Sequence, residues 1–347
     1  MNKLPKISIC VPTYNRHDYL DRCLRSIELA YMFYSFPIEI CIFDSSETDN
    51  GGKIAEKYSD ALNIKYLHDP NNKGYAGNFK KCVSMAKSKM VWLIGDDDLL
   101  VQNSFEIISD FFSKFPTTDF FYCNAYQLDE EFFRDFEKPF DTKFLPLVMR
   151  KFTYTTDSKL IPFHELINHK VSFDFLGGMF LSIFNKELWE SNKSCVQDET
   201  SKSKIKFLDL DSTFPHSKIF ANAFMKSNAY LSSNPLVVAV SGVREWAEFY
   251  PFIRTFRLMD LLMEYRKNGL TYLKYWKNKN FTVKYFAYDA LYSLRKKDGR
   301  FPKIRLLKYI VSASVCPNFY FSFIRLFLSL IEKIYAHTMG FFARILL

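Results

Sequence analysis

The chain has 347 residues, enough to bury the core of one large domain or of two closely packed domains. Hydrophobic residues make up 48% of the chain and aromatic residues 18%, which excludes an intrinsically disordered protein. The formal net charge is +9, and residues 299–347 alone carry seven basic side chains and one acidic side chain. This distribution indicates an anionic surface partner near the end of the chain and no nucleic-acid partner.

The seven cysteines lie far apart and lack the paired spacing of a metal site. Several of them fall in apolar, strand-like runs, where a thiol packs as a small hydrophobic side chain. The N-terminus shows no secretory signal. We therefore expect reduced thiols and a cytoplasmic protein.

The first hundred residues alternate between short β-branched runs and segments with helical spacing of apolar residues. Such alternation predicts βαβ units and an α/β fold with a mainly parallel sheet. The predicted strands are 7–11, 38–43, 64–67 and 90–94, and the predicted helices are 19–27, 54–58 and 78–86.

The rest of the chain is less regular. Residues 119–123 and 236–240 predict two more strands, and residues 214–225 predict a helix. Residues 126–170 form a long polar and aromatic stretch with weak periodicity, which we expect to be partly a mobile flap. Beyond Arg244 the pattern is helical to the end.

Gly95 and the three aspartates Asp96, Asp97 and Asp98 directly follow the apolar strand at 90–94. Ligands of parallel sheets bind beyond the carboxyl ends of the strands, and Thr13, Asn15 and Asp44 follow two other predicted strands. Clustered carboxylates repel one another unless a cation or several donors lie among them, and hard oxygen ligands suit Mg²⁺ or Mn²⁺. The alternative is a solvated turn with Asp98 as a helix N-cap.

Four segments carry polar residues in a characteristic order and spacing: Val11–Arg16, Asp44–Asp49, Asn72–Gly74 with Asn78, and Gly95–Asp98. Together they resemble the family 2 glycosyltransferases, and within that family the abequosyltransferase-type enzymes of bacterial O-antigen and capsule assembly. The resemblance implies a GT-A fold, a Rossmann-like, mainly parallel sheet with helices on both faces, followed here by a C-terminal helical region. It is firm over residues 5–125 and looser to about 245.

The resemblance also implies a role for individual residues around a nucleotide-diphospho-sugar donor. Arg16 would lie near the diphosphate, and Asp44 would accept a hydrogen bond from the base. Ser45 stands where the family usually has a second aspartate, which leaves the base open. The other residues implied at the nucleotide pocket are Pro12, Thr13, Asn15, Asn72 and Gly74.

Within the acidic run, the resemblance implies that Asp98 or Asp97 binds Mn²⁺ or Mg²⁺. Another carboxylate, Asp96 or Asp97, would contact the ribose or the donor sugar. Gly95 stands where many members have the first aspartate of their metal-binding motif, so the pair of residues that binds the ion stays open.

Family members invert the anomeric centre, so a side chain must take the proton of the acceptor hydroxyl. The family's usual Glu-Asp pair aligns with Pro215-His216, which makes His216 the first candidate for the base and Asp211, with Asp209, the alternative. The other interpretation is a capped helix start in which His216 only packs. Arg244 and Trp246 are the candidates for contacts with the acceptor or its phosphate.

The resemblance divides the chain into three parts. Residues 1–125 would form the nucleotide-sugar half of the GT-A domain, residues 126–243 the acceptor half, and residues 244–347 a helical region. In this last part, residues 319–334 predict a basic amphipathic helix that lies on an anionic membrane surface, on the inner face of the cell membrane. The alternative is a helix that closes the core or forms a dimer face.

We therefore expect an inverting, metal-dependent glycosyltransferase that acts on a lipid-linked oligosaccharide. A nucleotidyltransferase is the weaker alternative because residues 12–16 contain no glycine that could form a triphosphate loop. A non-catalytic, membrane-associated scaffold that binds a nucleotide is the third hypothesis, since the Glu-Asp pair is missing.

Overall fold

The structure is a computed structural model that describes residues 5–345 except 33, 35, 72–73, 198–206, 243–246 and 297–304. From residue 333 onward it describes the backbone alone. Three of the predicted site residues, Asn72, Arg244 and Trp246, lie outside the described residues.

The described strands form one ten-stranded sheet in the order β3-β2-β1-β4-β9-β6-β10-β5, with β7 beside β6 and β8 beside β10. Six strands, β1 to β4, β6 and β10, run in the same direction, whereas β5, β7, β8 and β9 oppose them. The mainly parallel sheet is thus confirmed. The strands are β1 Ile7–Thr13, β2 Ile38–Asp44, β3 Ile64–His68, β4 Met90–Leu93, β5 Leu99–Leu100, β6 Phe120–Asp129, β7 Arg150–Lys151, β8 Lys159–Pro162, β9 Ser182–Asn185 and β10 Asn228–Ser241.

The helices pack in two groups around this sheet. Helix α1 contacts α2 and α4, whereas α3 contacts strands β1 and β2 and helix α6, which in turn contacts α5 and α8. The helices are α1 His17–Met32, α2 Asn50–Lys57, α3 Gly74–Ser84, α4 Ser104–Lys114, α5 Lys186–Asn192, α6 Pro215–Ala223, α7 Tyr250–Phe252, α8 Leu258–Lys267, α9 Tyr272–Thr282, α10 Phe286–Arg295, α11 Leu306–Ala313 and α12 Pro317–Ile345.

Strands β1 and β2 are buried on both faces along their whole length, which explains why they read as continuous apolar runs rather than as alternating patterns. The parallel register pairs Thr13 with Asp44 at the carboxyl ends of the two strands. The polar residues that follow β1, β2 and β4 therefore meet at one edge of the sheet.

The stretch at 126–170 contains structure that its periodicity did not predict. Strand β6 continues to Asp129, and a short 3₁₀ helix at Glu130–Phe133 follows it. Phe133 and Phe140 pack edge to face, with ring centroids 4.9 Å apart, and both join Leu99 in a second, smaller core. The weak periodicity reflects short elements held by ring contacts, so a packed aromatic segment after β6 takes the place of the expected flap.

The helices from Tyr250 onward close the main core. Buried residues of this region, among them Phe256, Phe286, Tyr309 and Phe319, belong to the same hydrophobic cluster as strand β1. Arg254 forms two hydrogen bonds with the buried carboxylate of Asp289, of 3.0 and 2.6 Å, which join the π-helical turn at Ile253–Arg257 to α10. The predicted helical C-terminal region is confirmed.

Within the described residues, no single helix has the length and apolar composition needed to cross a membrane. The pair formed by Leu306–Ala313 and Pro317–Glu332, which is bent by 114°, meets these criteria only when its two members are taken together.

Candidate active site

The acidic run forms a tight, buried turn between β4 and β5. Asp96 and Asp97 expose 4% and 3% of their surface, and Asp98 is fully buried. The backbone N–H of Asp98 donates to the carbonyl of Gly95 over 3.2 Å, which closes the turn. Three adjacent carboxylates are thus held where desolvation is costly, so each needs a donor or a cation close by.

Residues that follow β1 supply the donors for two of these carboxylates. The Thr13 hydroxyl donates to Asp96 Oδ2 over 2.8 Å. The Arg16 guanidinium lies 3.4 Å from Asp96 Oδ1 and 3.0 Å from Asp97 Oδ2, and it stacks over the Tyr19 ring with its centre 4.5 Å from the ring centroid. Arg16 is therefore the internal counter-ion of the pair, and it is still about a quarter exposed.

Asp98 has a different environment from its two neighbours. Its Oδ2 accepts the backbone N–H of Gly95 over 2.8 Å inside the turn. A carboxylate that is fully buried and bonded to the turn's own backbone stabilises the loop. Asp97, which meets Arg16 at the edge, is the better placed of the two predicted metal ligands.

Gly95 is required by the closeness of this turn. A Cβ atom at Gly95 would lie 2.6 Å from Asp97 Oδ1 and 2.9 Å from Asp98 Oδ2, both far inside van der Waals contact. A side chain at Gly95 would therefore displace the carboxylates of Asp97 and Asp98 from the positions that they hold in this turn.

Asp44 lies at the end of β2 and is fully buried. Its Oδ1 accepts the backbone N–H of Ser46 over 2.9 Å, and its Oδ2 accepts the Tyr66 hydroxyl over 2.9 Å. The same hydroxyl lies 2.6 Å from Asp49 Oδ1, and burial together with these two carboxylates raises the pKa of Tyr66 well above its usual range. The predicted base-binding carboxylate is therefore part of a local network with Tyr66.

The loops that follow β1 and β2 are joined to each other. Asn15 adopts a left-handed backbone with φ of 54°, and its N–H donates to the Ser46 hydroxyl over 2.7 Å. The Asn78 side chain donates to the Ser45 hydroxyl over 2.7 Å, which connects α3 to the same loop. Gly74 begins α3 with φ of 75°, a conformation that glycine adopts without strain. Pro12, Thr13, Asn15, Arg16, Asp44 and Gly74 thus converge on the edge where the acidic turn lies.

His216 does not lie at this edge. It is fully buried in the first turn of α6, between the rings of Phe79 and Phe220. Its Nε2 lies 3.1 and 3.0 Å from the carbonyl oxygens of Leu176 and Gly177, which only accept hydrogen bonds, so Nε2 carries the proton. Its buried Nδ1 has no hydrogen-bond partner among the residues that the structure describes.

Burial lowers the pKa of His216 to about 4, although the two carbonyl oxygens oppose this shift. A group with this pKa is a weak proton acceptor at neutral pH, and here it is also shielded from any acceptor hydroxyl. The geometry therefore corrects the expectation that His216 acts as the base and favours its packing role at the start of the helix.

A substitution of His216 by Gln tests this correction through the pH dependence of stability. Because the folded pKa lies below the unfolded value of about 6.5, the neutral ring stabilises the fold above that pH, and the contribution is lost as the pH falls toward 4. We expect the wild type to lose about 3 kcal/mol of unfolding free energy over this interval that His216→Gln does not lose. Urea titrations at several pH values measure it.

The partly buried His169 provides the control for this experiment, since His169→Gln should keep the acid-dependent loss. His216 would again be the candidate base under two conditions. His216→Gln would have to lose as much unfolding free energy as the wild type when the pH falls, and it would have to lose all catalytic activity.

Asp211, the second predicted base, lies before α6. It forms an ion pair of 2.5 Å with Lys218, and its Oδ2 accepts the backbone N–H of Gln197 over 3.0 Å. Asp209 accepts hydrogen bonds from Ser212 and so shapes the turn that precedes the helix. The two carboxylates therefore have local partners. Neither Asp211 nor Ser212 caps α6, however, because the N-cap position is Phe214, which makes no side-chain hydrogen bond there. Of the alternative interpretation, the packing of His216 holds and the capped start does not.

Asp174 is a candidate that sequence reasoning missed. It precedes Phe175 and Leu176, two consecutive residues with left-handed φ of 55° and 67°, and such strain often marks a functional loop. Burial raises the pKa of Asp174, while the Ser172 hydroxyl and the backbone N–H groups of Gly177 and Gly178 oppose the shift. A side-chain atom of Met179, in the same loop, would lie 3.3 Å from a Cβ at Gly95. The only signal in the sequence was an aspartate shortly before Gly177-Gly178.

The carboxylates of the turn have the chemistry of a divalent-cation site. No group of three or more His, Cys, Asp or Glu side chains in the described part of the chain could hold an ion by itself. Asp96 and Asp97 offer hard oxygen atoms, and Mg²⁺-type ions commonly take one or two carboxylates and complete their coordination with phosphate and water oxygens. The residues present therefore fit an ion that binds together with a phosphate ligand.

Comparison with known proteins identifies the class. Residues 8–175 match the model of glycosyl transferase family 2. Just under half of the chain therefore matches this family model, and the matched segment contains the complete acidic turn together with Thr13, Arg16 and Asp44.

Two curated relatives are similar over part of this segment. Abequosyltransferase RfbV of Salmonella typhimurium is 33% identical over 120 residues, which are 34% of this chain and 35% of RfbV. Glycosyltransferase GlyG of Streptococcus pneumoniae is 32% identical over 103 residues, which are 29% of this chain and 33% of GlyG. The match therefore spans about a third of the length of each of these relatives.

A solved structure is similar over a larger part of the chain. TarS of Staphylococcus aureus, residues 1–349 in complex with UDP-GlcNAc, has a TM-score of 0.56 at 15% sequence identity. The similarity covers 84% of this chain and 76% of that chain. At this identity the likeness concerns the fold alone, and it confirms the predicted GT-A architecture.

Proposed function

We propose that this chain is a metal-dependent, inverting glycosyltransferase that moves a sugar from a nucleotide-diphospho-sugar to a lipid-linked oligosaccharide in bacterial surface-polysaccharide synthesis. The observation that carries the proposal is the convergence of Thr13 and Arg16 on Asp96 and Asp97 at the carboxyl edge of the sheet. The family 2 domain supports it, as does the similarity to a relative named as an abequosyltransferase.

The arrangement suits a diphosphate donor because cationic and acidic groups lie side by side. Asp97, with Asp96 next to it, would hold Mn²⁺ or Mg²⁺, and Arg16 would turn from the carboxylates to the diphosphate. Once bound, the cation would neutralise the charge that develops on the departing nucleoside diphosphate. The loops at Asn15, Asp44 and Gly74 would hold the nucleoside, as the family resemblance implies.

Displacement at the anomeric carbon also requires an acceptor for the hydroxyl proton. We assign this role to a carboxylate because His216 is fully buried. Asp211 and Asp174 are the two candidates, and the pH dependence of kcat/KM in Asp211→Asn and Asp174→Asn decides between them. The residue that acts as the base is the one whose substitution removes the acidic limb of that profile.

The donor is tested by thermal unfolding with UDP, GDP, CDP and dTDP, each with and without Mn²⁺. We expect at least one nucleotide to stabilise the protein only when Mn²⁺ is present, by about 3 kcal/mol at a hundredfold excess over its Kd. For a chain of 347 residues, such stabilisation corresponds to a rise in Tm of roughly 4 °C.

The same panel separates the competing hypotheses. Stabilisation without any hydrolysis of the matching nucleotide-sugar would favour the non-catalytic scaffold. Absence of a response to all four nucleotides would remove both the glycosyltransferase and the nucleotidyltransferase. The exposed substitution Asp60→Asn serves as a control that should leave the response unchanged.

We also propose that helices α11 and α12 attach the protein to an anionic membrane surface that carries the acceptor lipid. Tyr309, Cys316 and Phe319 face the core, but most of the other apolar side chains that the structure describes between Leu306 and Glu332 are about half exposed or more. Lys308 and Arg325 are exposed among them, which gives the surface the basic, apolar character of an interfacial helix. The exposed apolar residues are Leu307, Val311, Val315, Tyr320, Phe321, Phe323, Ile324, Phe327, Leu328, Leu330 and Ile331.

Flotation with vesicles that contain phosphatidylglycerol tests the membrane proposal. We expect the wild type to float, and the triple variant Ile324→Ser, Phe327→Ser, Leu328→Ser to lose at least about tenfold in vesicle affinity because less apolar area enters the interface. The double variant Leu147→Ser, Val148→Ser removes exposed apolar side chains elsewhere and should float normally. Equal flotation of all three proteins would refute the proposal.

A further inference from the structure

A cavity of about 550 Å³ lies beside the acidic turn, between the N-terminal end of α1 and the segment that follows β6. Its volume falls within the range of about 300–1,000 Å³ that is usual for small-molecule sites. Gly242, just after β10, completes its wall. Strands β6 and β10 run parallel to β1 and β4, so the cavity opens at the edge of the sheet where the donor residues converge.

Aromatic rings form one part of the cavity wall. Phe136 and Phe140 pack edge to face with centroids 5.0 Å apart, and Phe140 packs in the same way on Phe133. These contacts hold the rings in place without a ligand, so the wall is preformed. Faces of aromatic rings of this kind stack on the C–H faces of sugars.

Six carboxylates and three cationic side chains make up most of the polar lining, so the cavity has an acidic excess. Such a lining repels a diphosphate and offers hydrogen-bond acceptors to hydroxyl groups. The carboxylates are Asp18, Asp21, Asp129, Glu130, Glu131 and Glu137, and the cationic residues are Arg22, Arg134 and Lys138.

Arg22 is the buried polar residue of this lining and exposes 7% of its surface. Its terminal nitrogens bond to Glu130 over 3.1 and 2.7 Å, and its guanidinium lies over the rings of Tyr19 and Phe133. Its Nε has no hydrogen-bond partner among the described residues. Arg22 is thus held in place by these contacts, and it fixes the position of the Glu130 carboxylate in the cavity wall.

The cavity is connected to the acidic turn through a single ring. Tyr19 lies between two guanidinium groups, with Arg16 4.5 Å and Arg22 5.2 Å from its ring centroid. Arg16 contacts Asp96 and Asp97 on the other side. A molecule in the cavity is therefore one side-chain layer away from the groups assigned to the donor.

We propose that this cavity binds a neutral sugar unit of the acceptor glycan, with the partly exposed ring of Phe136 against the sugar face and the carboxylates on its hydroxyl groups. The identification of the bound sugar as part of the acceptor rests on the proposed function. The binding of a neutral sugar to the cavity does not depend on it. The acidic lining keeps the nucleotide at the Arg16 side and so separates the two substrates.

Saturation-transfer NMR tests the cavity with the methyl glycosides of glucose, galactose, mannose, rhamnose and N-acetylglucosamine. We expect at least one glycoside to bind the wild type, and its signal to fall at least threefold in Phe136→Ala and in the nearly isosteric Glu137→Gln. The controls are Tyr154→Ala, which removes an exposed ring away from the cavity lining, and Glu106→Gln on the surface of α4, and both should keep the signal.

In a transfer assay, the two cavity variants should raise KM for the acceptor about tenfold and leave KM for the donor unchanged. Signals that persist in both variants, that are displaced by the nucleotide, or that are absent for all five glycosides would overturn the proposal. Failure of the proposed function is distinct: no nucleotide would then stabilise the protein, while the cavity-dependent glycoside signal would remain. Glu137→Gln keeps the test valid if Phe136→Ala does not fold.

Discussion

Substitution of Asp97 by Asn is expected to lower sugar transfer by about a thousandfold or more, which corresponds to roughly 4 kcal/mol of transition-state stabilisation. The variant loses the charge that would hold the cation and the partner that positions Arg16 over 3.0 Å. Its fold should be unaffected or slightly stabilised, because one of three buried, neighbouring carboxylates becomes neutral. Transfer and donor hydrolysis at saturating Mn²⁺, with Tm measured in parallel, check both expectations.

Asp98→Asn is the matched comparison for this experiment. Asp98 is fully buried and accepts the Gly95 N–H, so its substitution should weaken a hydrogen bond in the turn. The unfolding free energy should fall by about 1–2 kcal/mol, and Tm should fall with it. Asp60→Asn, on the surface, should change neither quantity. Wild-type transfer and Mn²⁺ response in Asp97→Asn, with both lost in Asp98→Asn alone, would move the metal ligand to Asp98.

Substitution of Arg16 by Ala is expected to raise the affinity for the cation and to lower the affinity for the nucleotide. Arg16 is the cationic partner of Asp96 and Asp97, so its removal leaves the negative charge of two buried carboxylates without that counter-ion and favours a bound cation in its place. Mn²⁺ alone should therefore bind Arg16→Ala at least about fivefold more tightly than it binds the wild type. The nucleotide that stabilises the wild type should bind at least about tenfold more weakly, since a charged hydrogen bond to the diphosphate contributes about 1.5–3 kcal/mol.

Isothermal titration with Mn²⁺ alone, and then with the nucleotide in excess Mn²⁺, measures both changes. Arg25→Ala is the control, because Arg25 pairs with Glu28 on α1 and contacts neither aspartate. Arg16→Lys should fall between the wild type and Arg16→Ala, since an ammonium group keeps the charge but cannot bridge two carboxylates with a planar fork. Equal or weaker binding of Mn²⁺ by Arg16→Ala would contradict the counter-ion role.

Both expectations follow from one electrostatic property of the turn. Buried carboxylates are costly unless they are paired, and Arg16 supplies this pairing for Asp96 and Asp97. Under the proposed function, cation and donor would bind together, because the arginine released from the carboxylates would be the one that contacts the diphosphate.

The secondary structure of the first part of this protein could be predicted from its sequence. Alternating apolar runs and helical spacings predicted the strands at Ile7–Thr13, Ile38–Asp44 and Ile64–His68 and the helices between them, because these patterns depend on neighbouring residues. The rule that ligands bind at the carboxyl ends of parallel strands then indicated the edge where Thr13, Asp44 and the acidic run lie.

Only the tertiary structure determines which of these residues interact with one another. Arg16 meets Asp97 across 81 positions of sequence, and Asp98 turns inward to the backbone of Gly95, although local pattern does not distinguish Asp98 from Asp97. The burial of His216 depends on its packing between Phe79 and Phe220, and the spacing of residues in the sequence does not predict that packing.

The antiparallel β9 between β4 and β6, and the aromatic segment that follows β6, have the same cause. Their positions depend on pairings and ring contacts between residues far apart in the chain, which local propensity does not encode. The sequence by itself therefore determined the parallel sheet, its family and the acidic edge. Only the packing of distant segments determined the counter-ion, the buried histidine and the cavity beside the turn.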